Sequence, residues 1–285
     1  MADTATRQFK TYFQGTWYDG NHPILGPRTH GVWMSSTVFD GARCMDGALP
    51  DLDRHCARLV VSARLMGLEP KLTGPEIEDL AREGITQFSG DIDLYIMPLM
   101  YAEEGFIVPE PESTKFTMVV REAPLPAPKG FSACRSSFRR PAKDMALTEC
   151  KASSLYPNVA RAIREARSKG FDTAVVMDPS ANVAEFAQTN LFMVKDGAVH
   201  TPVPNGTFLN GLTRQRIVEL LRGDGVEVIE RTIAFPELAD ADELFSSANA
   251  TKVQPCIRLE DRDLQPGPMF KRAFELYMDF ARGCV

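Results

Sequence analysis

No stretch of 18 apolar residues occurs among the 285, so no membrane-spanning helix is expected. Cysteine is sparse. Its six positions, Cys44, Cys56, Cys134, Cys150, Cys256 and Cys284, contain no CxxC spacing. That pattern argues against a disulfide framework or a zinc site and fits reduced thiols in a cytoplasm. Histidine is scarcer still. His22, His30, His55 and His200 form no HxxxH pair, so no metal centre is expected. Basic residues are outnumbered, 32 Lys and Arg against 38 Asp and Glu, for a net charge of −6. An acidic chain is a poor match for nucleic acid as its main partner. The opening MADTATRQFKTYF has no apolar h-region, so no signal peptide is expected. What is present in quantity is apolar residue, 44% of the chain, ample for one large or two modest cores.

Residues 10–20 read as one strand followed by turn residues. Residues 31–45 mix β-branched and aromatic side chains and end at Asp46-Gly47, a hairpin signal. Over 51–67, Leu52, Leu59, Val60, Ala63 and Met66 share a helical face, with Gly67 as C-cap. A second helix is expected over 74–88, with Thr73 as N-cap and Glu76 completing a capping box. Strands follow at 91–102 and 115–122. APLPAPKG, residues 123–130, has three prolines and a glycine and suits a linker. Beyond it the pattern gives a strand (131–138), a helix (157–169), a strand (173–178) and a strand–turn–strand unit (183–196). A helix starts near Thr213, and an amphipathic helix closes the chain. Strands and helices mix without clean βαβ alternation. The expectation is therefore α+β in two domains: a small one over 1–122, the linker 123–130, and a larger one over 131–285 that carries Lys151.

Lys151 poses the functional question. It lies between Cys150 and Ala152, with Ser153, Ser154 and Leu155 next, an unusual setting for a lysine. Most lysines are solvated, and a loop lysine is the ordinary reading. A lysine amine in a confined site can instead form a Schiff base with a carbonyl compound.

The surroundings of Lys151 resemble a known family. TECKASSLYPN, NVAEFAQTNLF, LNGLTRQRI, HCARL, MSSTVFDGAR and DLYIMPLMY occur in the order and spacing of the class IV aminotransferases. These are the fold-type-IV pyridoxal 5'-phosphate (PLP) enzymes, and the branched-chain amino acid aminotransferases are the nearest match. The resemblance implies a two-domain enzyme with PLP between the domains and Lys151 as the Schiff-base lysine. By the same likeness Tyr156 meets the cofactor's phenolic oxygen, and Glu185 faces the pyridine nitrogen. A carboxylate there favours a protonated ring nitrogen, which then accepts electrons from the substrate. The usual glycine after that glutamate is Phe186 here. Leu212 and Thr213 at a helix start, together with Arg58, are implied as the phosphate grip. Asn249 stands where the family has threonine, with Ser247 as an alternative contact. Taken singly, each has a plain reading: Tyr156 a core aromatic, Glu185 a strand-end carboxylate, Thr213 an N-cap, Arg58 a surface residue.

On the substrate side the likeness points to Phe39, Gly41, Arg43, Tyr95, Met97 and Ala250. Met97 replaces an arginine that takes the side-chain carboxylate of glutamate. A methionine cannot pair an anion, so monocarboxylate or uncharged partners are expected to convert faster than dicarboxylates, unless Arg43 or Arg140 reaches the pocket. The implied partners are a small-molecule amino donor and a keto acid acceptor, with a homodimer as the assembly. An (R)-selective amine:pyruvate or D-amino acid transaminase, or a lyase of the aminodeoxychorismate type, would share the lysine and the cofactor. A non-catalytic PLP carrier is the reading from outside enzymology.

Overall fold

A computed structural model describes residues 8–90 and 92–284. Residues 1–7, read above as lacking a leader, and the first position of the strand expected from 91 lie outside the described residues. The chain divides into two compact units. One comprises Met1–Leu125, Cys150–Ser154 and Ala281–Val285; the other comprises Pro126–Glu149 and Leu155–Phe280. The division at 125/126 falls within the proline-rich stretch.

In the first unit β1 (Phe9–Phe13) and β2 (Thr16–Asp19) pair antiparallel. The single strand expected over 10–20 is thus a hairpin. Gln14 (φ 48°) and Gly15 (φ 82°) make the two-residue turn. Positive φ at both positions matches strand twist, and glutamine is a weak sequence signal for it. A short helix α1 (His30–Trp33) precedes β3 (Thr37–Phe39) and β4 (Ala42–Cys44), where only strand character was expected. Asp46-Gly47 does form a tight turn, both at positive φ, closing Met45 on Ala48.

Helix α2 (Leu52–Leu65) buries Leu52, Cys56, Leu59, Val60 and Ala63. It ends as the sequence demands. Gly67 takes φ +79°, its N–H reaches Arg64 O at 3.1 Å, and the Leu68 N–H reaches Ala63 O at 2.9 Å. This Schellman arrangement satisfies carbonyls that the helix leaves open. Helix α3 (Gly74–Ile85) carries the Thr73–Glu76 capping box. Strands β5 (Leu94–Ala102) and β6 (Thr114–Glu122) complete a six-stranded sheet ordered β2-β1-β6-β5-β3, with β4 also on β5. Along β5 burial alternates. Leu94, Ile96, Pro98 and Met100 are buried, while Tyr95, Met97 and Leu99 are half-buried on the other face.

The second unit holds β7 (Phe131–Arg139), α4 (Tyr156–Ser168), β8 (Thr173–Met177), β9 (Val183–Phe186), β10 (Asn190–Lys195) and β11 (Ala198–Pro202). Then come α5 (Leu212–Gly223), β12 (Val228–Arg231), β13 (Glu243–Ala248), β14 (Lys252–Leu259), β15 (Arg262–Asp263) and α6 (Pro268–Arg282), the last two residues of which are counted in the first unit. Its nine-stranded sheet runs β12-β11-β10-β13-β14-β7-β8-β9, with β15 on β14. Pairs β7–β8, β7–β14 and β11–β12 are parallel and the rest antiparallel.

One boundary needs correction. The segment with Lys151 was expected in the 131–285 domain, yet Cys150–Ser154 belongs to the first unit. The reason is a long-range backbone pairing. Ala152 bridges Val38 antiparallel, and the Phe39 N–H donates to Lys151 O at 3.1 Å. Among the described residues no helix is long and apolar enough to cross a membrane, and no group of three metal-ligating side chains is assembled.

Candidate active site

Lys151 is fixed through its backbone. Its N–H donates to Ser62 Oγ at 3.2 Å, and the Cys150 thiol lies 3.2 Å from Ser62 O on α2. Cys150 and Ala152 are buried on either side. Small residues are needed there because the segment lies flat between β3 and α2. The Lys151 ammonium stands 4.6 Å from the ring centroid of Phe39. A cation over an aromatic face is attracted by the ring quadrupole, and a lysine amine in a confined site is a nucleophile once its proton is lost. Burial also pushes the Cys150 thiol up to about 11, so it is an inert neighbour rather than a competing nucleophile.

Arg58 is not a surface arginine. Its Nε and Nη2 donate to the two oxygens of Asp40 at 2.7 and 2.8 Å. Asp40 is wholly buried, also accepts the Gly41 N–H at 2.7 Å, and has His55 Nδ1 at 2.7 Å. Burial alone would raise this carboxyl. The Arg58 and His55 charges and hydrogen bonds outweigh that and hold it well below the usual carboxylate range. Asp40 and His55 had no assigned part in the sequence reading. The HxxR spacing on α2 was the available signal, since residues three apart share a helix face.

Gly41 serves by having no side chain. A Cβ there would lie 2.0 Å from the Tyr95 hydroxyl oxygen. Arg43 is buried, donates to Ala123 O at 2.6 Å, and stands 5.8 Å from the Tyr95 ring centroid. Met97 is half-buried on the same sheet face as Tyr95. So Phe39, Gly41, Arg43, Tyr95, Met97, Arg58 and Lys151 all lie in the first unit.

The second unit collects the other group. Glu185 on β9 is buried, accepts from Arg140 Nη2, and accepts from Asn190 Nδ2 at 3.2 Å. It is therefore no solvated strand-end residue. Phe186, in place of the family's glycine, points to the opposite face by strand alternation. It packs edge-on against Phe131 at 4.9 Å in the core. Arg140, considered above as a pocket cation, is committed to Glu185.

Asn190 is the hub that sequence reasoning overlooked. Its Nδ2 also donates to Leu209 O at 3.0 Å, and a Cβ on Gly211 would lie 2.2 Å from its Oδ1. It pairs with Ser247 across β10 and β13. Gly211, not Thr213, is the N-cap of α5, and it makes no side-chain cap. Leu212 and Thr213 are buried in a first turn without acidic residues. Such a helix start offers N–H groups and the positive dipole end to an anion.

Nearby on the sheet, Ser247 Oγ and Asn249 Nδ2 are buried with no hydrogen-bond partner. Asn249 Oδ1 accepts from the buried Lys252 ammonium at 2.7 Å, which turns the amide N–H₂ outward from that contact. Buried donors without acceptors are costly and call for a ligand. The donor set of α5, Ser247 and Asn249 fits a phosphate monoester. Ala250 is exposed in the turn beyond. Tyr156 opens α4 and is 41% exposed, so core packing is not its role.

Comparison with known proteins follows the same lines. Residues 37–259 match the profile of the family described as Amino-transferase class IV. A probable branched-chain-amino-acid aminotransferase of Aquifex aeolicus is 32% identical over 289 residues, covering 96% of this chain and 93% of its own. The crystal structure of an aminotransferase from Brucella abortus bound to PLP is 48% identical, with a TM-score of 0.95 over 96% of this chain and 99% of that one. The branched-chain amino acid aminotransferase of Escherichia coli is 25% identical, with a TM-score of 0.88 over 97% and 95% of the two chains.

Proposed function

Since the chain belongs to the class IV aminotransferases and is a PLP-dependent enzyme, we propose that it moves the amino group of an apolar, branched-chain-type amino acid to a 2-oxo acid. Bound PLP supplies an electron sink for the electron pair left when the substrate Cα loses its proton. Lys151 would hold the cofactor, and its freed amine would take and return the substrate's Cα proton. Glu185, oriented by Arg140 and Asn190, keeps the ring nitrogen protonated. Leu212 and Thr213 at the start of α5, with Ser247, Asn249 and Arg58, grip the phosphate. Tyr156 donates to the phenolic oxygen. Tyr95 and Gly41 bound the substrate end, with Met97 and Phe39 as apolar wall, Arg43 flanking Tyr95 on the same sheet face, and Ala250 at the rim.

The observation that carries this reading is the set in the second unit: a buried, doubly held carboxylate beside an uncapped helix start and two orphaned buried donors. A half-reaction panel tests it. The yellow holoenzyme, mixed with L-leucine, L-glutamate, D-alanine or a simple (R)-amine, is expected to lose its colour with L-leucine. Conversion by D-alanine or the amine alone would overturn the substrate assignment.

Arg58→Ala is expected to weaken PLP binding about ten- to hundredfold, the scale of one charge-assisted contact. The variant also melts earlier, because buried Asp40 loses two donors. The measurement is therefore PLP affinity by titration of folded apoenzyme, and unchanged affinity would remove Arg58 from the phosphate grip.

The proposed assembly is a cytoplasmic homodimer. Phe106, Ile107 and Val108 are 70–73% exposed, and the Trp33 ring lies tilted against Phe106 with centroids 5.7 Å apart. A contiguous apolar patch of this kind is kept out of water by a partner, and a second copy is the partner proposed. Sedimentation velocity of Phe106→Glu is expected to show monomer.

A further inference from the structure

We propose that Arg121 is a specificity residue, the cation that receives the distal carboxylate of a dicarboxylic substrate. This rests on the transaminase reading above. Sheet register carries the argument. On β5 and β6, Tyr95 pairs with Arg121 and Met97 with Val119. Directly paired residues project from the same face, and diagonal neighbours remain within reach of long side chains. Arg121 is thus the diagonal neighbour of Met97, on the half-buried face that also carries Leu99.

Its guanidinium is available. Among the described residues it makes one long hydrogen bond, Nη1 to Glu122 O at 3.4 Å, and lies 5.2 Å from the Tyr95 ring centroid. The aromatic contact limits where the group can go without using its N–H donors. The alternatives are committed. Arg43 is buried and bonded to Ala123 O, and Arg140 is paired with Glu185.

Spacing selects which carboxylate is met. The Lys151 ammonium stands over Phe39, and Phe39 pairs with Leu99. From Leu99 to Tyr95 is four residues, about 13 Å of strand. An arginine side chain spans on the order of 6 Å, and the far carboxylate of a five-carbon diacid lies about 4–5 Å from its α-carbon. The α-carboxylate, one bond from the reacting carbon, stays too near Lys151 to meet Arg121. The far one does not. A carboxylate entering this pocket has to be paired, and a guanidinium fork pairs it through two parallel hydrogen bonds. Met97, Leu99 and Val119 meanwhile give an aliphatic side chain a dry wall. One pocket would then serve both halves of a transamination between an apolar and a dicarboxylic partner, and Met97 by itself does not decide the acceptor.

The test is kcat/KM for 2-oxoglutarate against pyruvate with L-leucine as shared donor, in wild type, Arg121→Gln, Arg121→Lys, and Arg121→Gln combined with Met97→Arg. The ratio is expected to fall about ten- to hundredfold in Arg121→Gln. It should fall less in Arg121→Lys and recover when Met97→Arg returns a guanidinium to the same face. An unchanged ratio in an active, yellow Arg121→Gln enzyme overturns the proposal and leaves the transaminase reading standing. So does equal loss with both acceptors and no recovery in the double variant. A yellow wild type that transfers the amino group to neither acceptor overturns both.

Discussion

Lys151→Ala is expected to lower turnover by on the order of 10⁴-fold or more, because the covalent link to the cofactor and the proton carrier vanish together. The fold should survive. The two hydrogen bonds that pin this position, from the Phe39 N–H to Lys151 O and from the Lys151 N–H to Ser62 Oγ, are made by its backbone. The side chain's ammonium over Phe39 is a contact of about 0.5–1 kcal/mol at a partly exposed site. The variant should therefore melt within a few degrees of wild type and lack the yellow colour of the linked cofactor. Thermal melting, the visible spectrum and steady-state rates read these separately. Near-normal transamination by this variant would sink the assignment of Lys151.

Glu185→Gln is expected to keep PLP and lose roughly 10²-fold in kcat, a few kcal/mol of barrier. The amide oxygen can still accept from Asn190, so the side chain stays in place. It has no negative charge with which to hold the ring nitrogen protonated, and the electron sink weakens. Arg140 loses an ionic partner, so some stability goes too, and rates have to be compared on folded, PLP-saturated enzyme. A kcat equal to wild type would show that Glu185 is not the partner of the ring nitrogen.

Local features were readable from the sequence because their causes are local. Gly67 ends α2 since only a residue at ease with positive φ fits there, and the Thr73–Glu76 box announces α3 within four residues. Asp46-Gly47 likewise marks its own turn. Gln14-Gly15 adopts a similar backbone, but glutamine is not a residue that favours it, and the first hairpin passed for one strand. Lys151 and Glu185 stood out through the spacing of several motifs; Asp40 and Asn190 lie within those motifs without a role legible from them, and Arg121 lies outside them all.

The sequence by itself determined the α+β class, the positions of the longer helices, and the residue types for lysine–PLP chemistry. Tertiary structure alone decided four further matters. Pairing of Ala152 with Val38 put the Lys151 segment in the first unit. Bidentate pairing with Asp40 set the direction of Arg58. Pairing with Glu185 committed Arg140, which the sequence offered as a pocket cation. Register between β5 and β6 placed Arg121 beside Met97. Each joins residues at least 18 positions apart in the chain. A side chain's own chemistry is written in its identity, but its neighbour across a sheet is set by strand register, and one residue of slip would turn every side chain to the other face.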